Sequence, residues 1–353
     1  MVAFRFFLIF APMITNECYR LPAEWEPQSG VQLTWPHEGT DWAPMLDEIM
    51  ATYREMANII ERYEPVLTVS PDKGQHGTIN VQCQTNDTWA RDHGFITLVD
   101  GHGGIRLLDF QFNGWGQKFP AELDNQINRH LYEDGYVVGE YVDQLDFVLE
   151  GGSIESDGKG TIFTTTGCLM APNRNQPMTQ QEIEERLKQT LCAERVVWID
   201  HGHLTGDDTD GHIDTLVRIC PDDTLLYVGC NDENDEQYAD LQLMEQELKT
   251  LRTLEGKPYR LLRLPLPRPI YDDSERLPAT YANFLIINGA VLVPTYNQPD
   301  IDAEALRVIG EAFPHRDIIS IDCCSIIRQH GSLHCCTMQY PERVMRGTPS
   351  ILA

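Results

Sequence analysis

The stretch TQQEIEERLKQTLCAERVVWIDHGHLTGDDTDGHIDTL, Thr179 to Leu216, holds in miniature the pattern that decides the fold. Apolar residues spaced three and four apart over residues 179 to 193 predict an amphipathic helix. The aliphatic, β-branched run RVVWID from Arg195 predicts a strand close behind it. A polar cluster follows, carrying His201, His203, Asp207, Asp208, Asp210, His212 and Asp214. Helix, strand and polar motif thus form one unit.

The same unit recurs along the chain. Helical spacing is found near residues 43 to 62, 120 to 132, 233 to 252 and 302 to 313, and the strands that answer it are VLTVS from Val66, YVVG from Tyr136, RLLRLPL from Arg260 and DIISID from Asp317. Each unit leads to a polar motif: Asp92 in NDTWARDHG, Glu150 in LEGGSIE, His212 with Asp214, Asn283 in YANFLII, and Cys335 in LHCCT. Units of roughly 55 to 75 residues exceed the usual solenoid repeats, and five copies favour a closed ring over an open array. An α/β fold is expected, with one polar group per unit converging on a central axis.

Composition narrows the function. A formal charge of -27 and a pI near 4.6 argue against nucleic acid, which requires a basic face, and suit either a cationic substrate or plain solubility. Ten cysteines follow no disulfide framework and no CxxC pair occurs, so reduced thiols in a cytoplasmic protein are expected rather than a thiolate zinc site. The opening MVAFRFFLIFAPMI is too short to span a membrane and has no clear cleavage site. Residues 1–19 read as an extension, an export signal or a misassigned start with initiation at Met13. Residues 20–353 read as a single catalytic domain without a linker.

The segment around Cys335 reads as a strand, which would put Cys335 on one face with Leu333 and Thr337, and His334 with Cys336 on the other. Cys335 is then a nucleophile or an inert buried thiol. His212 and Asp214, two apart, point the same way if a strand starts there. Asp92 is a free carboxylate or the partner of Arg91. Glu150 follows an apolar run and precedes two glycines that allow close approach.

Taken in order, RLPAEWEP with its following TWP, NDTWARD, FNGWGQKFP, LEGGSIE, TIFTTTGCLMAPNRN, DGHIDTL, YANFLIINGAVLVP and LHCCTMQ run from Arg20 to Pro341. This series resembles the agmatine deiminase and bacterial peptidyl-arginine deiminase family of the guanidine-modifying superfamily. The resemblance implies a pentein-type, five-bladed α/β propeller of ββαβ units with a central active site, and it implies no metal or other cofactor. A guanidinium is planar and resistant to attack, so two carboxylates, Asp92 and Asp214, would grip its edges. Cys335 would attack its carbon, His212 would protonate the departing ammonia and then activate water, and Glu150 would orient His212. Asn283 would bond in the pocket or simply close a strand end. Trp89, Trp115 and Trp35 would line an apolar channel or pack the core.

The FNGWGQKF segment offers Lys118 and no arginine to clamp a carboxylate, which favours agmatine, giving N-carbamoylputrescine and ammonia, over free or peptidyl arginine, giving citrulline. The expected partner is a small cationic guanidine compound; nucleic acid and membrane are not expected, and self-association stays open. The rival chemistry is a metal-dependent hydrolase using the cluster from His201 to Asp214. The approach to the cysteine, RQHGS, departs from the glycine-rich run usual in the family and leaves His330 without a reading.

Overall fold

A computed structural model of the chain describes residues 19–72 and 77–346; the expectations for the N-terminal extension lie outside the described residues, Tyr19 aside. The unit quoted first explains the rest. Its helix, Gln180–Thr190, opens on a capping box in which the Thr179 hydroxyl accepts from the Glu182 amide and the Glu182 carboxylate accepts from the Thr179 amide at 2.7 Å. The helix buries Ile183 and Leu187 and delivers strand Arg195–Ile199, which runs parallel to Thr161–Thr165. That strand pairs antiparallel with Glu155–Ser156. A hairpin therefore precedes each helix and strand read from the sequence, and the repeat is ββαβ.

Three more sheets copy the order: Ile96–Val99, Ile105–Gln111 and Glu140–Val148; Val217–Cys220, Thr224–Gly229 and Arg260–Pro265; Leu285–Ile287, Ala290–Thr295 and Asp317–Asp322. Chain ends make the fifth. Thr337–Pro341 pairs antiparallel with Gln28–Thr34 (Leu33 opposite Thr337), which runs parallel to Val66–Ser70, and Ile79–Gln82 is added outside. A small hairpin, Tyr271–Asp272 with Glu275–Arg276, stands apart. Among the described residues no sheet is continuous around the molecule.

Burial falls across each sheet. In four sheets the first and second strands are largely buried, as in Val217–Cys220 and Thr224–Gly229, whereas the third, as in Arg260–Pro265 and Asp317–Asp322, is partly exposed; in the chain-end sheet Val66–Ser70 is buried and the added strand Ile79–Gln82 is the partly exposed one. Strands covered on both faces need near-continuous apolar runs, and TLLYVG and AVLVPT supply them. Helix Leu46–Ile60 buries Ile49, Tyr53, Met56 and Ile60, each burial stabilising by about 1.5–3 kcal/mol.

Two strand expectations fail. YVVG is not a strand: Val137 is buried and makes only an isolated bridge to Met345, and the strand begins at Glu140. Nor is Cys335 in a strand. Residues 333–336 form a turn, with the Thr337 amide donating to His334 O at 3.0 Å, and the strand starts at Thr337. Among the described residues no helix is long and apolar enough to cross a membrane, and no disulfide joins the cysteines.

Candidate active site

Each polar motif sits on a turn immediately ahead of the first strand of a sheet. Asp92 lies in the single helical turn Ala90–His93, Glu150 precedes the turn Gly151–Ser153, and His212 precedes the turn Ile213–Thr215 that holds Asp214. The last of these replaces the strand expected at His212. Asn283 and Cys335 occupy irregular segments before Leu285–Ile287 and Thr337–Pro341. The turns bring these side chains together.

Asp92 Oδ2 accepts from Trp115 Nε1 at 2.9 Å and Oδ1 from the Gly152 amide at 3.1 Å, while His212 Nδ1 stands 3.6 Å away. Asp214 Oδ2 accepts from His334 Nδ1 at 2.8 Å and Asn283 Nδ2 at 3.2 Å, and lies 3.9 Å from Cys335 Sγ. Asn283 Oδ1 accepts from the amides of His334 (2.9 Å) and Cys335 (3.3 Å) and from the Cys335 thiol (3.4 Å). Asn283 is therefore an organiser of the turn that carries Cys335. Gly152 is required by space: a Cβ there would lie 2.6 Å from His212 Nδ1 and 2.9 Å from Asp92 Oδ1.

Three buried atoms are left without hydrogen-bond partners in this cluster: both ring nitrogens of His212, and Asp214 Oδ1. Leaving such groups unmet is expensive, about 1–3 kcal/mol each, and marks groups that a ligand would satisfy. Trp115 carries strain of the same origin. It has φ 55, ψ 49 between Gly114 and Gly116, a left-handed run that FNGWGQKF uses to aim its indole N–H at Asp92.

The electrostatics are those of an anionic pocket. Burial raises Asp92 to about 6, with Asp214 and Glu150 adding to the rise and His212 opposing it. Burial, Asp214 and Asp92 push the Cys335 thiol well above its ordinary range. For His212, burial disfavours charge, but Asp92, Cys168 and Glu150 outweigh it and raise the imidazole to about 10. Asp214 stays below the ordinary carboxylate range despite burial because His334 donates to it.

A cleft opens onto Cys335 and Asp92 between Trp89, Trp115, Phe119 and His330, with Asp41, Asp87 and Asp208 in its wall. No lysine or arginine lines it among the described residues. Lys118 is held away on Asp210 Oδ1 at 2.9 Å and Asp208 O at 2.6 Å. Trp35 is not in the cleft: it packs edge-on against Tyr53 and donates to Met50 Sδ. His330 lines the rim in a left-handed conformation (φ 61), its Nδ1 2.8 Å from Gly206 O.

Asp92 is not the partner of Arg91, which pairs instead with Glu24 at 3.0 Å and with Gln339. Glu150 comes near His212 without a hydrogen bond: one ligand atom each of Glu150, Cys168 and His212 lie within 4.8 Å of one another, and Glu150 accepts from Arg174 Nε at 3.1 and 3.3 Å. The cluster expected of a metallohydrolase is dispersed. His201 faces Asp240, His203 is exposed, Asp207 accepts from Thr209 and Gly211, and Asp210 takes Arg174 at 2.6 Å. Sequence reasoning missed Glu24, Cys168, Arg174, Arg218 and His334, although RLPAEWEP, TTTGCLMAPNRN and LHCC contain four of them.

Comparison with known proteins identifies the family. The model of the Porphyromonas-type peptidyl-arginine deiminase family matches residues 20–341. Agmatine deiminase of Stutzerimonas stutzeri is 32% identical over 93% of this chain and 97% of its own length. Among solved structures, a Porphyromonas gingivalis protein described as a candidate arginine deiminase is 49% identical with a TM-score of 0.89, over 93% of this chain and 100% of that one. Agmatine deiminase of C. jejuni, as a cysteine-to-serine variant with substrate bound, is 38% identical with a TM-score of 0.86, over 93% and 97%. With turns, cleft and whole-length likeness in agreement, the chain belongs to the agmatine deiminase and Porphyromonas-type peptidyl-arginine deiminase family, hydrolases of amidine C–N bonds.

Proposed function

We propose that this enzyme deiminates agmatine, releasing ammonia and N-carbamoylputrescine, through a covalent intermediate on Cys335. The observation that carries the reading is the unpartnered, buried Asp214 Oδ1, on a carboxylate whose Oδ2 lies 3.9 Å from Cys335 Sγ. A guanidinium has N–H donors on both edges, and Asp92 with Asp214 would grip them by charge-assisted bonds. Its positive charge would reverse the effect of the two carboxylates on Cys335 and favour the thiolate.

As the cation binds, Cys335 would lose its thiol proton to solvent, and the thiolate forms the S–C bond while the C=N π pair moves onto nitrogen. His212, held charged by Asp92, gives its proton to one amino nitrogen, the C–N bond breaks and ammonia leaves. Neutral His212 then takes a proton from water as the hydroxide adds to the same carbon, and the S–C bond breaks to return the thiolate while the adduct's hydroxyl proton passes to the released ammonia, leaving the neutral ureido product and ammonium. Glu150, braced by Arg174, and Cys168 support the charged imidazole. The five ββαβ sheets are read as blades around this centre, each contributing the turn ahead of its first strand. Trp89 and Trp115 would flank the substrate's carbon chain, and Asp41, Asp87 and Asp208 would suit a distal ammonium. An arginine carboxylate would meet no cation in that wall.

Mass spectrometry after acid quench tests the reading. Expected is an adduct of agmatine less one ammonia on the Cys335 peptide, absent in Cys335→Ala. Cys336→Ala should retain most activity, because that thiol lies buried against Tyr53 rather than in the cleft. Full activity in Cys335→Ala would sink the proposal.

A further inference from the structure

Glu24, the acid of the RLPAEWEP motif, is not in the cleft, yet it touches the residue next to the nucleophile. Its carboxylate oxygens lie 2.9 and 3.1 Å from His334 Nε2, and it also takes Arg91 (3.0 Å) and Arg218 (2.5 Å). Arg218 is wholly buried. It donates to Glu155 and to the carbonyls of Ala282 and Phe284, and its Nη2 stands 3.2 Å from His334 Nε2. His334 in turn meets Asp214 Oδ2 through Nδ1 at 2.8 Å.

An imidazole facing a carboxylate through Nδ1 must hold its proton there, because an ionised carboxylate only accepts. Either state of Nε2 is compatible with that. Unprotonated, it accepts from Arg218; protonated, it donates to Glu24. In both, Nδ1–H points at Asp214, engages Oδ2 and leaves Oδ1 open. The His334 amide is meanwhile fixed on Asn283 Oδ1, the atom that also receives the Cys335 amide and thiol.

We infer that His334, braced from behind by Glu24 and Arg218, is a positioning residue that orients Asp214 so that Oδ1 faces the substrate guanidinium. The inference rests on reading Asp214 as a guanidinium ligand. It gives the N-terminal motif a function: Glu24 acts on the site through one imidazole, from a position 310 residues distant in sequence.

The test compares His334→Leu, His334→Asn and Glu24→Gln with the wild-type enzyme, measuring KM and kcat for agmatine and the circular dichroism melting temperature. His334→Leu removes the donor and should raise KM by about tenfold to a hundredfold, the worth of one charge-assisted bond. An asparagine amide can replace Nδ1–H but cannot reach Glu24, so His334→Asn should recover KM to within about threefold of wild type. Glu24→Gln should raise KM severalfold and move kcat less. An unchanged KM in His334→Leu, or no recovery in His334→Asn, overturns the inference. If His334→Leu does not fold, Glu24→Gln decides: a wild-type KM refutes the positioning role. A wild-type protein inert toward every guanidine would instead refute the underlying reading, which keeps the two failures distinct.

Discussion

At the scale of single residues the site buries several carboxylates around one imidazole, at a cost to the carboxylates. Asp92 illustrates the consequence. Its folded-state value of about 6 lies above the ordinary carboxylate value of about 3.9, so the folded protein takes up this proton more readily than the unfolded chain. Asp92 therefore lowers stability above about pH 6, and the penalty fades as pH falls toward 4. Asp92→Asn should raise stability by about 2 kcal/mol at pH 7, with the gain shrinking to near zero at pH 4, and should cut kcat/KM by about 2–5 kcal/mol of transition-state stabilisation. Denaturant melts at the two pH values check the first part; a pH-independent gain would contradict it. That Asp92 and Asp214 converge, here on Gly152, was expected from the motifs that hold them. The roles of Glu24, Arg174 and Arg218 were not, because each acts through a partner far away in the chain and no local pattern marks it.

At the scale of elements, the turns ahead of the first strands do the positioning. Gly152 is the point where His212, Asp92 and Asp214 crowd one backbone position. Gly152→Ala should depress kcat by about a hundredfold or more through displacement of His212, since misplacement by an ångström is enough. Gly101→Ala, whose Cβ would meet nothing within 4 Å, should leave kcat unchanged. Steady-state kinetics of the two variants checks this, and an active Gly152→Ala would show that the close approach is dispensable. The sequence revealed the third strands where they are aliphatic, as in RVVWI and DIISID, and misread the second unit because EYVDQLDFV carries acids on an exposed face while YVVG ahead of it is apolar. First strands such as Val217–Cys220 and Glu155–Ser156 escaped notice because runs this short have no period to read. The turn at Cys335 was missed for a related reason: LHCCT is β-prone, and the bonds to Asn283 and those from Thr337 to His334 O bend it.

For the molecule as a whole, a charge of -27 and a cleft walled by Asp41, Asp87, Asp92 and Asp208 suit a cation arriving from solution. If that field assists capture, kcat/KM for a cationic guanidine should fall severalfold between low and high ionic strength, more than kcat does. Equal loss in both would assign the effect to stability. The order of motifs from Arg20 to Pro341 was enough to place the chain in its family. The choice among guanidines was not legible at that level, because it depends on what the cleft wall lacks. Ammonia release from agmatine, free arginine and a peptide ending in arginine, measured side by side at matched concentrations, tests the central claim most directly. Agmatine should be the preferred substrate, with N-carbamoylputrescine as product and no release by Cys335→Ala; faster turnover of either carboxylate-bearing substrate, or release that survives loss of Cys335, would refute the proposed function.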